Sequence, residues 1–509
     1  MIVVDIYVLW VVYAIYAAKT LKYFEISLDI EFVKGGVVMK IVGREEEQKL
    51  LEACYASTKP DFIVVYGRRR VGKTFLIRET FKDRFCFRYT GYANVTKERQ
   101  LFRFNTALRE FAGKDYPQAK DWFVAFDQLR SLIEESQIEG RKVVFLDEMP
   151  WMEARKSDFL SALEGFWNGW ASGREDILLI ACGSAASWIA SKLFGNKGGL
   201  HNRVTRRIYI EPFSLKECEE FFRSKGFVYS RQMVLESYMV FGGIPYYMDL
   251  MDGEYSVSQN VDRLCFRPDG ALVDEYREIF ASLFEKPGLY MDIVAALAQK
   301  SSGMNRYDIV SKTGCSDGGT LTKALGDLER CGFVRRFSLY GKRVKSAVFQ
   351  LMDPFTLFYL KQMQGKVSHD AAHWTNALRS GERNAWNGYA FEIACFWHIS
   401  QIKKRLGISG VSTTVFAWRS RNSVPGAQID MVIDRMDGIV NLCEMKYSGE
   451  RFSIDRKYAE RLGEKAAAFA QETGSRKALH TTFITTCGLA ESGYRHSAQS
   501  EVTLDDLFE

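Results

Sequence analysis

The sequence predicts an α/β protein organised around a parallel sheet, and three stretches predict it. Phe62-Ile-Val-Val-Tyr66 is a short apolar, β-branched run of the kind that forms a buried parallel strand. It passes into Gly67-x-x-x-x-Gly72-Lys73-Thr74 and then into Phe75-Leu-Ile-Arg-Glu-Thr80, which begins a helix. Lys142-Val-Val-Phe-Leu-Asp-Glu148 is a second apolar run, with two acids at its carboxyl end. Ile177-Leu-Leu-Ile-Ala181 is a third and leads into Cys182-Gly183-Ser184.

The 509 residues have room for about three or four domains. The composition, 47% hydrophobic and 26% charged, is that of an ordinary globular protein with an ample core, which argues against a disordered or fibrous chain. A net charge of +6 is mild for this length: it permits a nucleic-acid partner without arguing for one. The ten cysteines form no C-x-x-C pair and none has a metal-spaced histidine, so the expectation is reduced thiols, a cytoplasmic location and no zinc site. Residues 1–38 read as a leader or as sequence upstream of a start at Met39. Ile2–Ala18 is nearly all apolar but is interrupted by Asp5 and is barely long enough to span a bilayer, so a membrane anchor is the lesser reading and a packed helix the third.

In chain order, Gly43-Arg44-Glu45-Glu-Glu leads a helix with Leu50, Leu51 and Cys54 on one face. Gly67 to Thr74 is the P-loop pattern in its strand–loop–helix setting. Its glycines let the backbone N–H groups from Arg68 through Arg69, Arg70, Val71 and Gly72 close around phosphate oxygens, at a helix end that carries partial positive charge. Lys73 suits the β- and γ-phosphates, and the Thr74 hydroxyl suits Mg²⁺. Asp147 is placed to hold that Mg²⁺ and Glu148 to orient and deprotonate an attacking water. Ser184 has two readings, a polar sensor of the γ-phosphate or a helix cap. Arg203 likewise reads as an arginine finger, in cis or from a neighbouring subunit, or as a helix-end cation.

Taken together, G-R-E-E-E, G-R-R-R-V-G-K-T, F-L-D-E, A-C-G-S, E-P-F-S and G-G-I-P, in that order, resemble the archaeal-type AAA ATPases that also occur in bacteria and are related to the STAND signalling ATPases. The resemblance covers about residues 39–270. It implies an ATP- and Mg²⁺-dependent ATPase over residues 39–275, with a small helical lid and with Gly43 and Arg44 near the adenine. Many members of that family have Gly-Arg where this chain has Asn202-Arg203.

Residues 276–352 read as a winged helix: three helices bearing Ile293, Ile309 and Leu325, then a hairpin around Tyr340-Gly-Lys-Arg343. Arg335, Arg336, Lys342, Arg343 and Lys345 on the wing and Lys323 on the third helix suit DNA phosphates, the alternative being a plain interdomain connector. Residues 353–509 turn αβ-like. Asp430 on one strand and Glu444-x-Lys446 on the next resemble the PD-(D/E)XK nucleases, here as the nuclease-like domain that commonly follows these ATPases. Residues two apart on a strand share a face, so Asp430, Glu444 and Lys446 are expected to converge. The carboxylates, with Glu392 from the preceding helix, would take Mg²⁺, and Lys446 would position a water. The alternative is a domain that binds without cleaving. Partners expected on this reading are ATP, DNA and a second copy of the chain, and not a membrane.

Overall fold

The structure, a computed structural model, describes residues 41–509 except 154–156, 185, 195–199, 201, 339, 341–346, 367–371 and 421–426. The leader 1–38 and the wing residues Lys342, Arg343 and Lys345 thus lie outside the described residues, as do Gly198, Gly199 and His201 before Arg203.

The apolar runs form the parallel sheet expected of P-loop NTPases. Its strands are β1 (Asp61–Gly67), β2 (Phe85–Thr90), β3 (Lys142–Asp147), β4 (Ile177–Gly183) and β5 (Arg206–Ile210), in the order β2-β3-β4-β1-β5. Strand β4 therefore lies between β1 and β3, and each of its residues is buried. The registers Tyr66↔Gly183 and Leu146↔Ala181 bring the carboxyl ends of β1, β3 and β4 level. Parallel strands must be covered on both faces. One face packs on the helices Lys97–Ala112, Trp122–Glu135 and Phe159–Gly169, through Phe87, Phe104, Trp122, Phe126 and Phe159. Thr96 and Asp121 cap the first two helices by accepting the Arg99 and Val124 N–H groups.

Beyond β5 the chain is helical, with Leu215–Ser224, Arg231–Phe241, Pro245–Asp249 and Glu275–Leu283. The capping box expected from Ser214 to Glu217 is formed. Gly243 has a φ of 66°, and a Cβ there would lie 2.1 Å from the Phe213 carbonyl oxygen, so only glycine fits this corner.

Helices Pro287–Ala298, Arg306–Thr313 and Gly319–Arg330 follow, together with β6 (Met304–Asn305), β7 (Val334–Phe337) and β8 (Val348–Leu351) in an antiparallel sheet ordered β6-β8-β7. Arg335 departs from its expected role. Its guanidinium lies 3.4 Å from the centre of the Phe396 ring and donates to Gln350 at 2.7 Å, and burial pushes its pKa down to about 9. It joins β7 to the next unit and is not free for phosphate. Arg336 pairs with Glu329 at 3.5 Å, whereas Lys323 is exposed.

The last unit contains the helix Gly381–Trp397, then β9 (Thr413–Arg419), β10 (Gln428–Arg435) and β11 (Ile439–Lys446). The helix Arg456–Thr473, β12 (Ala478–Thr485) and β13 (Ser500–Thr503) complete it. The sheet order is β13-β12-β11-β10-β9, antiparallel from β9 to β11 and parallel from β11 to β13.

Val42–Glu509 pack as one unit. The Leu215 N–H donates to the buried His398 Nε2 at 2.9 Å, so a ring from the last unit satisfies a free amide at the start of the helix Leu215–Ser224. Tyr447, beside Lys446, accepts from Gln232 at 2.6 Å and donates to Glu236 at 3.3 Å on the helix Arg231–Phe241. Among the described residues no helix is long and apolar enough to cross a membrane.

Candidate functional site

The first site forms where β1, β3 and β4 end together. Gly67 leaves β1 at φ 150°, where a Cβ would lie 2.4 Å from the Ile210 carbonyl oxygen. Gly72, at φ 89°, opens the helix Lys73–Thr80, and Arg70 is itself left-handed at φ 71°. Lys73 is only 4% exposed, and its Nζ donates to the carbonyls of Gly67 (3.2 Å) and Arg68 (2.7 Å) and to Ser184 Oγ (3.1 Å). The ammonium is thus folded over the loop, and Val71 is buried.

Thr74 Oγ1 lies 3.1 Å from both Asp147 carboxylate oxygens, and Thr90 Oγ1 donates to the same carboxylate at 3.4 Å. Asp147 is 3% exposed; burial, and then the neighbouring Glu148, raise its pKa above the usual carboxylate range. A hydroxyl and a buried carboxylate converging at the foot of a phosphate loop are donors that suit a hard cation. Glu148 sits at φ 47°, ψ 44°, a conformation uncommon for a residue with a side chain. Its carboxylate accepts from Ser184 Oγ at 2.7 Å and from the Ser184 N–H at 3.3 Å. Ser184 therefore bridges Lys73 and Glu148.

Gly43 and Arg44 border this site. Gly43 has a φ of 63° and abuts Glu217, and the Arg44 guanidinium donates to the Glu211 carbonyl at 2.6 Å and to the Val71 carbonyl at 3.4 Å. It also lies 4.7 Å from the centre of the Phe213 ring. The loop arginines lead elsewhere. Arg68 pairs with Asp353, and Arg70 with Glu275 at 2.5 Å. Arg69 is half-buried beside them.

Arg203 does not join this site. Its neighbour Thr205 donates its N–H to the Phe62 carbonyl, and Ile63 pairs with Arg206, so Arg203 lies at the amino end of β1 and β5. From Phe62 to Gly67 the strand runs roughly 16 Å. An exposed arginine at that end is not an arginine finger to the same chain's P-loop.

The second site lies on β10 and β11. The pairing Met431↔Cys443 sets Asp430 opposite Glu444, on the face that also carries Lys446. Glu444 is 3% exposed and Lys446 Nζ lies 3.4 Å from it, while Asp430 accepts the Met445 N–H at 3.0 Å. Burial, then Asp430 and Glu444, outweigh Lys446 and push the Glu392 carboxyl up to about 8. Asp430 is raised for the same reasons, burial first. Burial works against the Lys446 ammonium, but Glu444 and Asp430 outweigh it and hold its pKa above the usual lysine range.

Two residues on the helix Arg456–Thr473 complete the cluster and were not anticipated. The Tyr458 hydroxyl donates to Glu444 at 3.0 Å and Lys465 Nζ at 2.5 Å, so both Glu444 oxygens are engaged. Their seven-residue spacing, which places them on one helix face, was the available signal. Among the described residues no group of three or more His, Cys, Asp or Glu side chains is arranged to hold a metal ion.

Because Glu392 titrates at about 8 in the folded chain against 4.5 for a free glutamate, it is protonated in both states at low pH. The unfolded chain then ionises first, so this group's contribution to stability is lost as pH rises from 4.5 to about 8. Glu392→Gln is expected to raise the thermal midpoint of the metal-free protein at pH 9 relative to wild type by more than at pH 5. Equal differences at both pH values would contradict this environment for Glu392.

Comparison with known proteins supplies the remaining findings. Residues 41–251 match a family described as an ATPase domain predominantly from Archaea. An uncharacterised protein of Methanocaldococcus jannaschii is 24% identical over 399 residues, which is 77% of this chain and 83% of that protein. An uncharacterised ATP-binding protein of the same organism is 45% identical over 49 residues, covering 10% of this chain and 81% of that one. Among solved structures, a Walker-type ATPase of Pyrococcus abyssi is 19% identical with a TM-score of 0.46, covering 63% of this chain and 96% of its own. The ORC2 protein of Aeropyrum pernix, solved in ADPNP–ADP complexes, is 15% identical with a TM-score of 0.41, covering 66% of this chain and 97% of its own.

Proposed function

From an ATPase domain of archaeal type over residues 41–251, we propose that the chain binds and hydrolyses ATP with Mg²⁺ and couples nucleotide state to a DNA-acting C-terminal half. The observation that carries the ATPase reading is the convergence of Lys73, Thr74, Asp147, Glu148 and Ser184 at the carboxyl ends of three parallel strands. The backbone N–H groups from Arg68 to Gly72 cradle the phosphates, Lys73 exchanges its carbonyl partners for the β- and γ-phosphates, and Thr74 and Asp147 hold the metal. Mg²⁺, when bound, neutralises charge on the phosphates. Glu148 orients a water against the γ-phosphate and takes its proton, and Ser184 reports the γ-phosphate to Glu148. Gly43, Arg44 and Phe213 border the base.

In the same proposal residues 276–352 are a winged helix, with Lys323 and Arg336 as its described DNA-facing cations and Arg335 as a joint to the next unit. Residues 353–509 are a nuclease-like domain. Its carboxylates are oxygen donors of the right type for Mg²⁺. Glu392 and Asp430 suit it directly, whereas Glu444 would first have to release Lys465. Arg203, exposed at the far end of the sheet, remains available to a neighbouring copy in a homo-oligomer. A cytoplasmic location fits the same reading.

The alternative, a nucleotide-controlled switch whose last domain binds nucleic acid or protein without cleaving, draws on one observation: Tyr458 and Lys465 already satisfy Glu444. Incubation of the purified protein with plasmid DNA and Mg²⁺, with and without ATP, separates the two. The nuclease reading expects cleavage that is lost in Lys446→Ala, with Mn²⁺ binding kept, and Mn²⁺ binding lost in Asp430→Ala. ATP turnover without cleavage selects the switch.

A further inference from the structure

Arg68 directly follows the first glycine of the phosphate loop, yet its side chain runs into the C-terminal half. The guanidinium is buried and makes a two-point pair with Asp353, with Nη2 3.0 Å from Oδ2 and Nη1 closer to Oδ1. It also lies 4.9 Å from the centre of the Phe333 ring. Asp353 is 0% exposed, and its Oδ2 accepts the Thr356 N–H at 2.8 Å, which caps the helix Pro354–Phe358. One carboxylate thus holds the phosphate loop and starts the helix that follows β8.

The link reaches the reacting end in one more step, because the Arg68 carbonyl accepts from Lys73 Nζ at 2.7 Å. Asp353 fixes the Arg68 side chain, Arg68 fixes the loop backbone, and that backbone holds the ammonium meant for the β- and γ-phosphates. A second anchor runs in parallel. Arg70 pairs with the buried Glu275, which also accepts the Tyr247 hydroxyl at 2.7 Å. Neither arginine is spent on the nucleotide, and both tie the loop to segments more than 200 residues away in sequence.

We infer that Asp353 is a positioning residue of the nucleotide site: through Arg68 it sets the geometry of the P-loop, so ATP affinity depends on the C-terminal half, and bound ATP in turn tightens the helix Pro354–Phe358. The inference rests on the nucleotide reading above. The reciprocity is required by thermodynamics, since a contact that favours the binding-competent loop must itself be favoured by the bound nucleotide. A buried guanidinium deprived of its carboxylate does not stay in place, and misplacing binding groups by about 1 Å is enough for an effect of roughly 10²-fold.

The test uses the full chain and a non-hydrolysable ATP analogue. In wild type, hydrogen exchange of the amides of residues 355–358 should slow when the analogue is added. Asp353→Asn keeps an oxygen to cap Thr356 but removes the charge that holds Arg68. It should weaken analogue binding by about 10- to 100-fold and abolish the analogue-dependent protection of 355–358. A merely structural aspartate would lower the melting temperature while leaving that protection in place. Wild-type affinity in the variant, or exchange at 355–358 in wild type that ignores a bound analogue, overturns the inference. The wild-type measurement decides even if the variant does not fold. Failure of wild type to bind the analogue at all removes the nucleotide reading itself, and this inference with it.

Discussion

Lys73→Ala will bind a fluorescent ATP analogue on the order of 100-fold or more weakly than the wild-type chain. The ammonium is buried and is held at the loop by the Gly67 and Arg68 carbonyls and by Ser184. The charges of Arg68 and Arg70 are already committed to Asp353 and Glu275. Deleting one partner of a buried charge pair commonly costs about 2–5 kcal/mol. The folded sheet should survive, because alanine is a good helix former at the first position of Lys73–Thr80. Analogue titration with circular dichroism as a folding control checks this, and unchanged affinity would remove the P-loop assignment.

Glu148→Gln is expected to bind ATP as wild type does and to hydrolyse it about 10²–10⁴-fold more slowly, the usual worth of a positioned general base. The amide keeps the shape of the side chain and can still accept from Ser184, whose hydroxyl lies 2.7 Å away. What it loses is the ability to take a proton. Asp147→Asn should differ, since Asp147 faces Thr74 and its loss weakens metal-dependent binding first. If the two variants match in both affinity and turnover, the division of roles between the acids is wrong.

These predictions rest on positions that could be read from residue order alone. A short apolar run with no alternation can end only where it becomes polar, so Gly67, Asp147 and Ser184 had to fall at strand ends, and the parallel register then brings them level. Asp430, Glu444 and Lys446 were legible for a similar reason, because strand alternation assigns a face without knowledge of the partner.

Other features depended on tertiary packing. That Arg203 approaches β5 from its amino end follows from where the chain re-enters the sheet, which local pattern does not contain. Arg335 looks like any wing cation until Phe396 arrives beneath it. Tyr458 and Lys465 lie on the helix Arg456–Thr473, and the covering of Glu444 appears only when that helix docks against β11. The side chains of Arg68 and Arg70 were obscured by their own motif, since P-loop chemistry concerns their backbone alone.

The span of the Arg68–Asp353 pair bears on how the chain matures. The partners are 285 residues apart, and Leu215 and His398 are 183 apart. With synthesis at roughly 5–20 residues per second, the phosphate loop emerges from the ribosome roughly 15–60 s before its carboxylate partner. Through that interval Arg68, just past the carboxyl end of β1, has no Asp353 to pair with, and the helix Leu215–Ser224 lacks the His398 acceptor for its first amide. On the coupling inferred for Asp353, the loop reaches its full affinity for nucleotide only after Asp353 has been made, late in translation.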